Sequence, residues 1–118
     1  MTIEIMNMRP EDCAPLARLW HQGWIDGHVA VVPAELSALR TLTSFQQRAS
    51  DNRTITRVAK DSGALLGFRM VKDDEIYQMY VGSAARGQGV AQLLMQDGEA
   101  TIKAAGHSTA WLSCAIGN

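Results

Sequence analysis

The chain has 118 residues, 47% of them hydrophobic and 19% charged, with a formal net charge of −1. That length fits one domain and leaves too little for two independent cores. Ten Gly and three Pro in this mixture exclude collagen-like, coiled-coil and disordered chains, and the near-neutral charge argues against a strongly electrostatic nucleic-acid binder. The start, Met1-Thr2-Ile3-Glu4-Ile5-Met6, shows no signal-peptide pattern, and no window holds the ~20 apolar residues of a membrane span. Cys13 and Cys114 stand far apart without a CxxC spacing. They read as two reduced thiols of a cytoplasmic protein, with neither a disulfide framework nor a metal site expected.

Along the chain, Ile3 and Ile5 alternate with polar residues over 2–8, which predicts a short strand. Pro10, Glu11 and Asp12 form a helix-start signal, and Leu16, Leu19, Trp20 and Trp24 then give one apolar face. Gly23 and Gly27 weaken this helix, which is expected to end before Val31. Pro33-Ala34-Glu35 opens a second predicted helix whose stripe is Leu36, Leu39, Leu42, Phe45 and Ala49, closed by Asp51-Asn52. Three strands follow in succession, over 54–59, 64–71 and 75–81, joined by the polar turns Asp61-Ser62-Gly63 and Lys72-Asp73-Asp74. Connections this short make antiparallel neighbours. After Val81 comes a small-residue loop, then a helix carrying Val90, Leu93, Leu94 and Ile102, with Gly106 as its C′ residue. A final apolar strand spans 110–116. The strand–helix–strand unit from 75 to 116 requires a parallel pair. The fold class is therefore α/β (α+β), a mixed and mostly antiparallel sheet in the order β-α-α-β-β-β-α-β, without repeats or linkers.

The segment Val81 to Ala91 carries the chemistry. A strand ends, a Gly-rich loop turns, and a helix begins with its free N–H groups exposed, an arrangement suited to phosphate or pyrophosphate. Gly87 and Gly89 lack Cβ atoms, and Arg86 adds a charge at the rim. On the Gly pattern alone, a tight turn with no ligand is an equal reading. A P-loop is excluded because no Gly-Lys pair exists, and the dinucleotide fingerprint is excluded by Gln92 and by the antiparallel run before it.

The run Arg86-Gly87-Gln88-Gly89-Val90-Ala91 matches Gln/Arg-x-x-Gly-x-Gly/Ala. With Met79-Tyr80-Val81 before it and this element order, the chain resembles the GNAT superfamily of acyl-CoA-dependent N-acetyltransferases over essentially its whole length. The resemblance implies acetyl-CoA as cosubstrate, no metal, and transfer of an acetyl group to a primary amine of a small molecule or peptide by direct attack in a ternary complex. It implies that Arg86, Gly87, Gln88, Gly89, Val90 and Ala91 bind the pyrophosphate. It also implies that Tyr80 and Val81 line the pantetheine, and that Asn118 belongs to the cofactor site at the opening of a further helix. The N–H of Met79 would donate to the thioester carbonyl as an oxyanion donor. Glu75 would be the general base, with a period of two placing it on the same face as Tyr77 and Met79 unless a bulge intervenes. A solvated carboxylate is the plain alternative for Glu75. Trp20, Trp24 and His28 would wall the acceptor pocket, although the plainer reading of both Trp residues is as core.

The family pattern continues past Asn118 with one more helix, which carries a Tyr acting as general acid, and two more strands. Relative to that pattern the domain is expected to be incomplete at its C-terminus, and an exposed apolar edge at 110–116 is expected to form a homodimer. Two further readings follow: a weakly active or inactive CoA-binding or interaction module, and a truncated fragment of an acetyltransferase.

Overall fold

A computed structural model of the chain describes residues 2–28 and 41–112, with the backbone alone described for Gly27 and His28. In chain order the elements are β1 (Glu4–Asn7), a 3-10 turn (Pro10–Asp12), α1 (Cys13–His28), α2 (Leu42–Asp51), a 3-10 turn (Arg53–Ile55), β2 (Thr56–Asp61), β3 (Ala64–Lys72), β4 (Glu75–Val81), a 3-10 turn (Ser83–Ala85), α3 (Val90–Ala104) and β5 (Trp111–Leu112). The five strands form one sheet in the order β1-β2-β3-β4-β5. The first three pairings are antiparallel, and β4 with β5 is parallel, Glu75 opposite Trp111 and Ile76 opposite Leu112.

One expected boundary moves for an identifiable reason, and another lies partly outside the described residues. The continuous helix from Pro33 to Asp51 is broken at Thr41, whose extended backbone (φ −87°, ψ 164°) caps α2. Its hydroxyl accepts the Ser44 N–H at 3.2 Å, the usual N-cap bond. The described helix thus starts at Leu42 and carries Phe45 and Ala49 of the expected stripe, and the expected start at Pro33, with Leu36 and Leu39, lies outside the described residues. Strand 110–116 is described only at Trp111–Leu112, so Ala110 precedes it and 113–116 lie outside the description.

Local sequence accounts for the other turns. Ser62 (φ 51°) and Gly63 (φ 85°) are both left-handed in the two-residue β2–β3 turn, as a tight hairpin of right-twisted strands requires. At the start of α1, the buried Asp12 side chain accepts the Arg9 N–H at 2.9 Å and pairs with Lys60 Nζ at 2.7 Å, tying the helix entry to β2. At the end of α3, Gly106 (φ 98°) donates to the Lys103 carbonyl and His107 to the Ile102 carbonyl. These two bonds make a Schellman cap and turn the chain toward β5.

The sheet is covered on both faces. On one, α1 and α2 bury Leu16, Ala17, Trp20, Phe45 and Ala49 against Val58, Phe68 and Met70. On the other, α3 buries Val90, Leu94 and Ile102 against Ala59, Val71, Ile76, Met79 and Val81. Neighbours along β2 and β3 fall alternately into the two clusters, as strand pleating demands.

One charged group crosses the α3 face. Arg69 is 2% exposed. Its Nε donates to Asp97 Oδ1 at 2.8 Å, its second guanidinium nitrogen to Thr101 Oγ1 at 2.8 Å and its first to the Ile55 carbonyl at 3.2 Å. Burial pushes its pKa below the ordinary arginine value, and Asp97 pulls the other way by hydrogen bond and charge. Arg57 Nε pairs with the second Asp97 oxygen at 3.2 Å.

Candidate functional site

The site is built on a change of phase within β4. Residues 67–70 of β3 stand opposite 81–78 of β4, but Val71 then pairs with Ile76, so Tyr77 has no partner in the ladder. This is a β-bulge, which inserts one residue and shifts the pleat. The Gly82 N–H donates to the Leu66 carbonyl at 2.8 Å, and antiparallel alternation from there directs the backbone groups of Tyr80 and Gln78 to β3. The N–H and C=O of Met79 and Val81 consequently point to the opposite side, where β5 lies. The described pairing with β5 involves Glu75 and Ile76 at the other end of the strand.

The bulge corrects the expected placement of Glu75. Ile76, Met79 and Val81 pack on the α3 face, whereas Tyr77 and Tyr80 pack on the α1/α2 face. Glu75 is opposite Lys72 in register, and Lys72 Nζ lies 4.1 Å from the Tyr77 ring centroid. Glu75 thus shares a face with Tyr77 and Tyr80 and not with Met79. It is half-buried and sits roughly 13 Å from Met79 along the strand, at about 3.3 Å per residue.

Beyond Val81 the chain turns through Ser83–Ala85 and reaches two left-handed glycines, Gly87 (φ 79°) and Gly89 (φ 81°). Their conformation is the reason for glycine here. A Cβ at either position would meet no other atom within 4 Å, so the space in front of both is open. Gly89 is the N-cap of α3, without a side-chain cap and without an acidic residue in the first turn. The first helical bond runs from Leu93 N–H to the Gly89 carbonyl at 3.1 Å. The N–H groups of Val90, Ala91 and Gln92 precede it, at the positive end of an uncompensated helix dipole. Arg86, Gly87, Gln88 and Gly89 are exposed around this end, while Val90 is buried and anchors the turn.

On the α1 side, Arg86 donates to Tyr80 Oη at 3.1 Å, which ties the loop to β4. The Tyr80 ring rests on α1 at Gly23, where a Cβ would lie inside van der Waals reach of Cε2 and Cζ. At Gly82 a Cβ would come within 2.8 Å of Leu19 Cδ1. Alongside these contacts runs an open, mainly apolar cleft of about 420 Å³, lined by Pro15, Arg18, Leu19, Gln22, Tyr80, Gly82, Ser83 and Ala84.

The structure brings together Met79, Tyr80, Val81 and the loop 86–91. It does not bring Trp20 to the cleft. Trp20 is 7% exposed, between Phe45 and Phe68 at 5.1 and 5.3 Å, with Arg48 stacked 4.2 Å from its ring centre. Trp24 packs against the same cluster. The His28 side chain and Asn118 lie outside the described residues. Sequence reading missed Arg18 and Gln22, which flank Leu19 on the polar edge of the apolar stripe of α1. Among the described residues no group of three His, Cys, Asp or Glu side chains comes together to hold a metal ion, and no helix is long and apolar enough to cross a membrane.

Comparison with known proteins fits this arrangement. The sequence model of the Acetyltransferase (GNAT) family matches residues 16–118. A GCN5-related N-acetyltransferase structure from Rhodopseudomonas palustris is 26% identical, with a TM-score of 0.69 over 91% of this chain and 69% of that one. A putative acetyl transferase from Pyrococcus furiosus is 21% identical, with a TM-score of 0.71 over 99% and 85%. A GNAT family acetyltransferase from Brucella melitensis, solved with acetyl-CoA, is 18% identical, with a TM-score of 0.70 over 98% and 78%. Among curated protein sequences none matches the chain.

The contact between Gly23 and Tyr80 makes a sharp prediction. Gly23→Ala gains up to about 1 kcal/mol of helix propensity, yet its methyl group collides with the ring. Overpacking of this kind costs about 1–3 kcal/mol. Urea denaturation is expected to show a net loss of stability, and Tyr80 ring resonances are expected to shift. A stabilised variant with unmoved resonances contradicts the packing.

Proposed function

The chain belongs to the GNAT acetyltransferase family, and from that premise we propose that it transfers acetyl from acetyl-CoA to a primary amine of a small molecule or peptide. The observation that carries this reading is the bulge at Tyr77. It turns the Met79 and Val81 amides away from β3, beside an uncapped helix N-terminus. Backbone N–H groups around Gly87 to Ala91 would take the pyrophosphate, with Arg86 adding charge. Val81 would pair with a pantetheine amide as one strand pairs with another. The acetyl-CoA complex of the Brucella melitensis neighbour supports the same cosubstrate here.

In the reaction the amine lone pair attacks the thioester carbonyl carbon. A C–N bond forms, and the carbonyl oxygen becomes an oxyanion held by the Met79 N–H. Collapse then breaks the C–S bond and releases CoA thiolate. An unperturbed thiol pKa of roughly 8.5 for Cys makes a thiolate a tolerable leaving group without a dedicated acid. The amine must lose a proton, and Glu75 is the base in this reading, acting through a relay of several waters because it stands roughly 13 Å along the strand from Met79, at about 3.3 Å per residue. In this reading the amine approaches from the α1/α2 side of the sheet, the face that Glu75 shares with Tyr77 and Tyr80. Trp24 and His28 near the end of α1 are the corresponding acceptor-side residues. The Cys13 thiol donates to the Gln46 carbonyl at 3.4 Å, and a cytoplasmic location is part of the same proposal, resting on the sparse cysteine content of the sequence.

Thiol release from acetyl-CoA in the presence of a panel of primary amines tests the reaction. Turnover with at least one amine is expected, and Glu75→Gln is expected to lower it by about 10²–10⁴-fold without changing CoA affinity. CoA binding without turnover for any amine would leave a binding module instead, and absence of CoA binding overturns the reading altogether.

The same reading includes a homodimer. Trp111 and Leu112 on β5 are 65% and 47% exposed, an apolar pair of the kind that subunits cover. Light scattering is expected to give the mass of two chains, and Trp111→Glu to give one. A wild-type monomer contradicts it.

A further inference from the structure

A lone arginine in the apolar run of β3 points to a second role for the buried polar network. Arg69 stands directly opposite Met79 in the β3–β4 register. From that position its guanidinium reaches across the sheet face to Asp97 and Thr101, both on α3, at 2.8 Å each. Asp97 lies eight residues after Gly89, roughly 12 Å down the helix axis at about 1.5 Å per residue. One side chain therefore joins the residue paired with Met79 to the helix whose first turn carries the loop N–H groups.

Apolar packing does not supply the same constraint. Leu94, Gly98 and Ile102 hold α3 against the sheet, with a Gly98 Cβ only 3.2 Å from Ile76 Cδ1. That packing sets the height of the helix above the sheet. The hydrophobic effect is non-directional, so burial by itself does not choose among neighbouring axial positions that pack comparably well. The guanidinium fork is directional and charge-assisted. It is also locked from behind, because Arg69 donates to the Ile55 carbonyl and Asp97 is paired with Arg57, which itself bonds Asn7 Oδ1 and the Ile5 carbonyl of β1 at 3.2 Å.

We propose that Arg69, through Asp97 and Thr101, is a positioning residue that fixes the axial register of α3 against β4 and so sets the distance between the pyrophosphate cradle and the Met79 N–H. The inference rests on the reading of those two groups as parts of one acetyl-CoA site. Its consequence is coupling: pyrophosphate binding assists the chemistry at the thioester only when the two ends are held at the right separation, and misplacement by about 1 Å can cost a hundredfold in rate.

Comparison of two acetyl donors tests this. Acetyl-CoA carries the pyrophosphate, whereas S-acetylpantetheine presents the same thioester without it. The wild-type chain is expected to prefer acetyl-CoA strongly in kcat/KM. In Arg69→Lys, which keeps the charge and loses the fork, the preference is expected to fall about tenfold, with kcat/KM for S-acetylpantetheine essentially unchanged. Thr101→Val removes one bond only and is expected to lower the preference a few-fold. It decides the matter if Arg69→Lys fails to fold by circular dichroism. A role confined to stability would lower both donors in parallel or leave the preference intact, and either result overturns the proposal. A wild-type chain that turns over neither donor fails the parent reading, and the positioning role falls with it.

Discussion

Tyr77 is the residue on which the arrangement of the site depends. Strand backbones offer their hydrogen-bonding groups to alternate sides, so a regular β4 that used Ile76 to meet β5 would turn Met79 and Val81 toward β3. One extra residue between Ile76 and Gln78 reverses that phase. The amides of Met79 and Val81 then face away from the ladder, and Met79 and Val81 side chains stay buried on the α3 face beside Ile76. Hydrophobic burial is kept on both faces, and the bulge costs the ladder pairing of a single residue. That residue is compensated by packing of its ring on the α1/α2 face and by Lys72 above it.

The remaining parts of the site are arranged around the end of this strand. Gly23 and Gly82 let α1 and the loop come close to Tyr80 and Leu19, which fixes one wall of the cleft. Gly87 and Gly89 serve a different need: they supply left-handed backbone, so that α3 can begin at once with its N–H groups open to solvent. The four glycines around the site, Gly23 on α1 and three after β4, thus answer to two separate physical demands, close packing in one pair and backbone conformation in the other. The helix they introduce is then held to the sheet by directional bonds from Arg69 as well as by apolar contact.

Much of this was legible in the sequence. The three consecutive strands with short polar turns, the loop Arg86 to Ala91 and the apolar stripes of α1 and α3 all follow from periodicity and turn chemistry. The bulge was not, because Glu75 to Val81 contains neither Gly nor Pro and reads as an ordinary strand. Its effect, moving Met79 to the face opposite Glu75, depends on pairing with β3 and on burial of both Ile76 and Met79. Thr41 was missed because Leu36, Leu39, Leu42 and Phe45 keep a helical spacing across a backbone break. A cap at Thr41 leaves that spacing unchanged. Trp20 was open between pocket and core, and its three neighbours Phe45, Phe68 and Arg48 come from other elements. Arg69 carried a signal that went unused, since a lone arginine within Ala64 to Val71 must find a buried partner.

The most direct test of the arrangement is a CoA titration followed by amide nuclear magnetic resonance on the full chain. The bulge and the glycine loop together predict one contiguous set of perturbed amides: Met79, Val81 and Gly87 through Ala91, with Gln78 and Tyr80 amides protected in the β3 ladder and little moved. Saturable binding that instead shifts Gln78 and Tyr80, or that leaves the α3 first turn unperturbed, would contradict it.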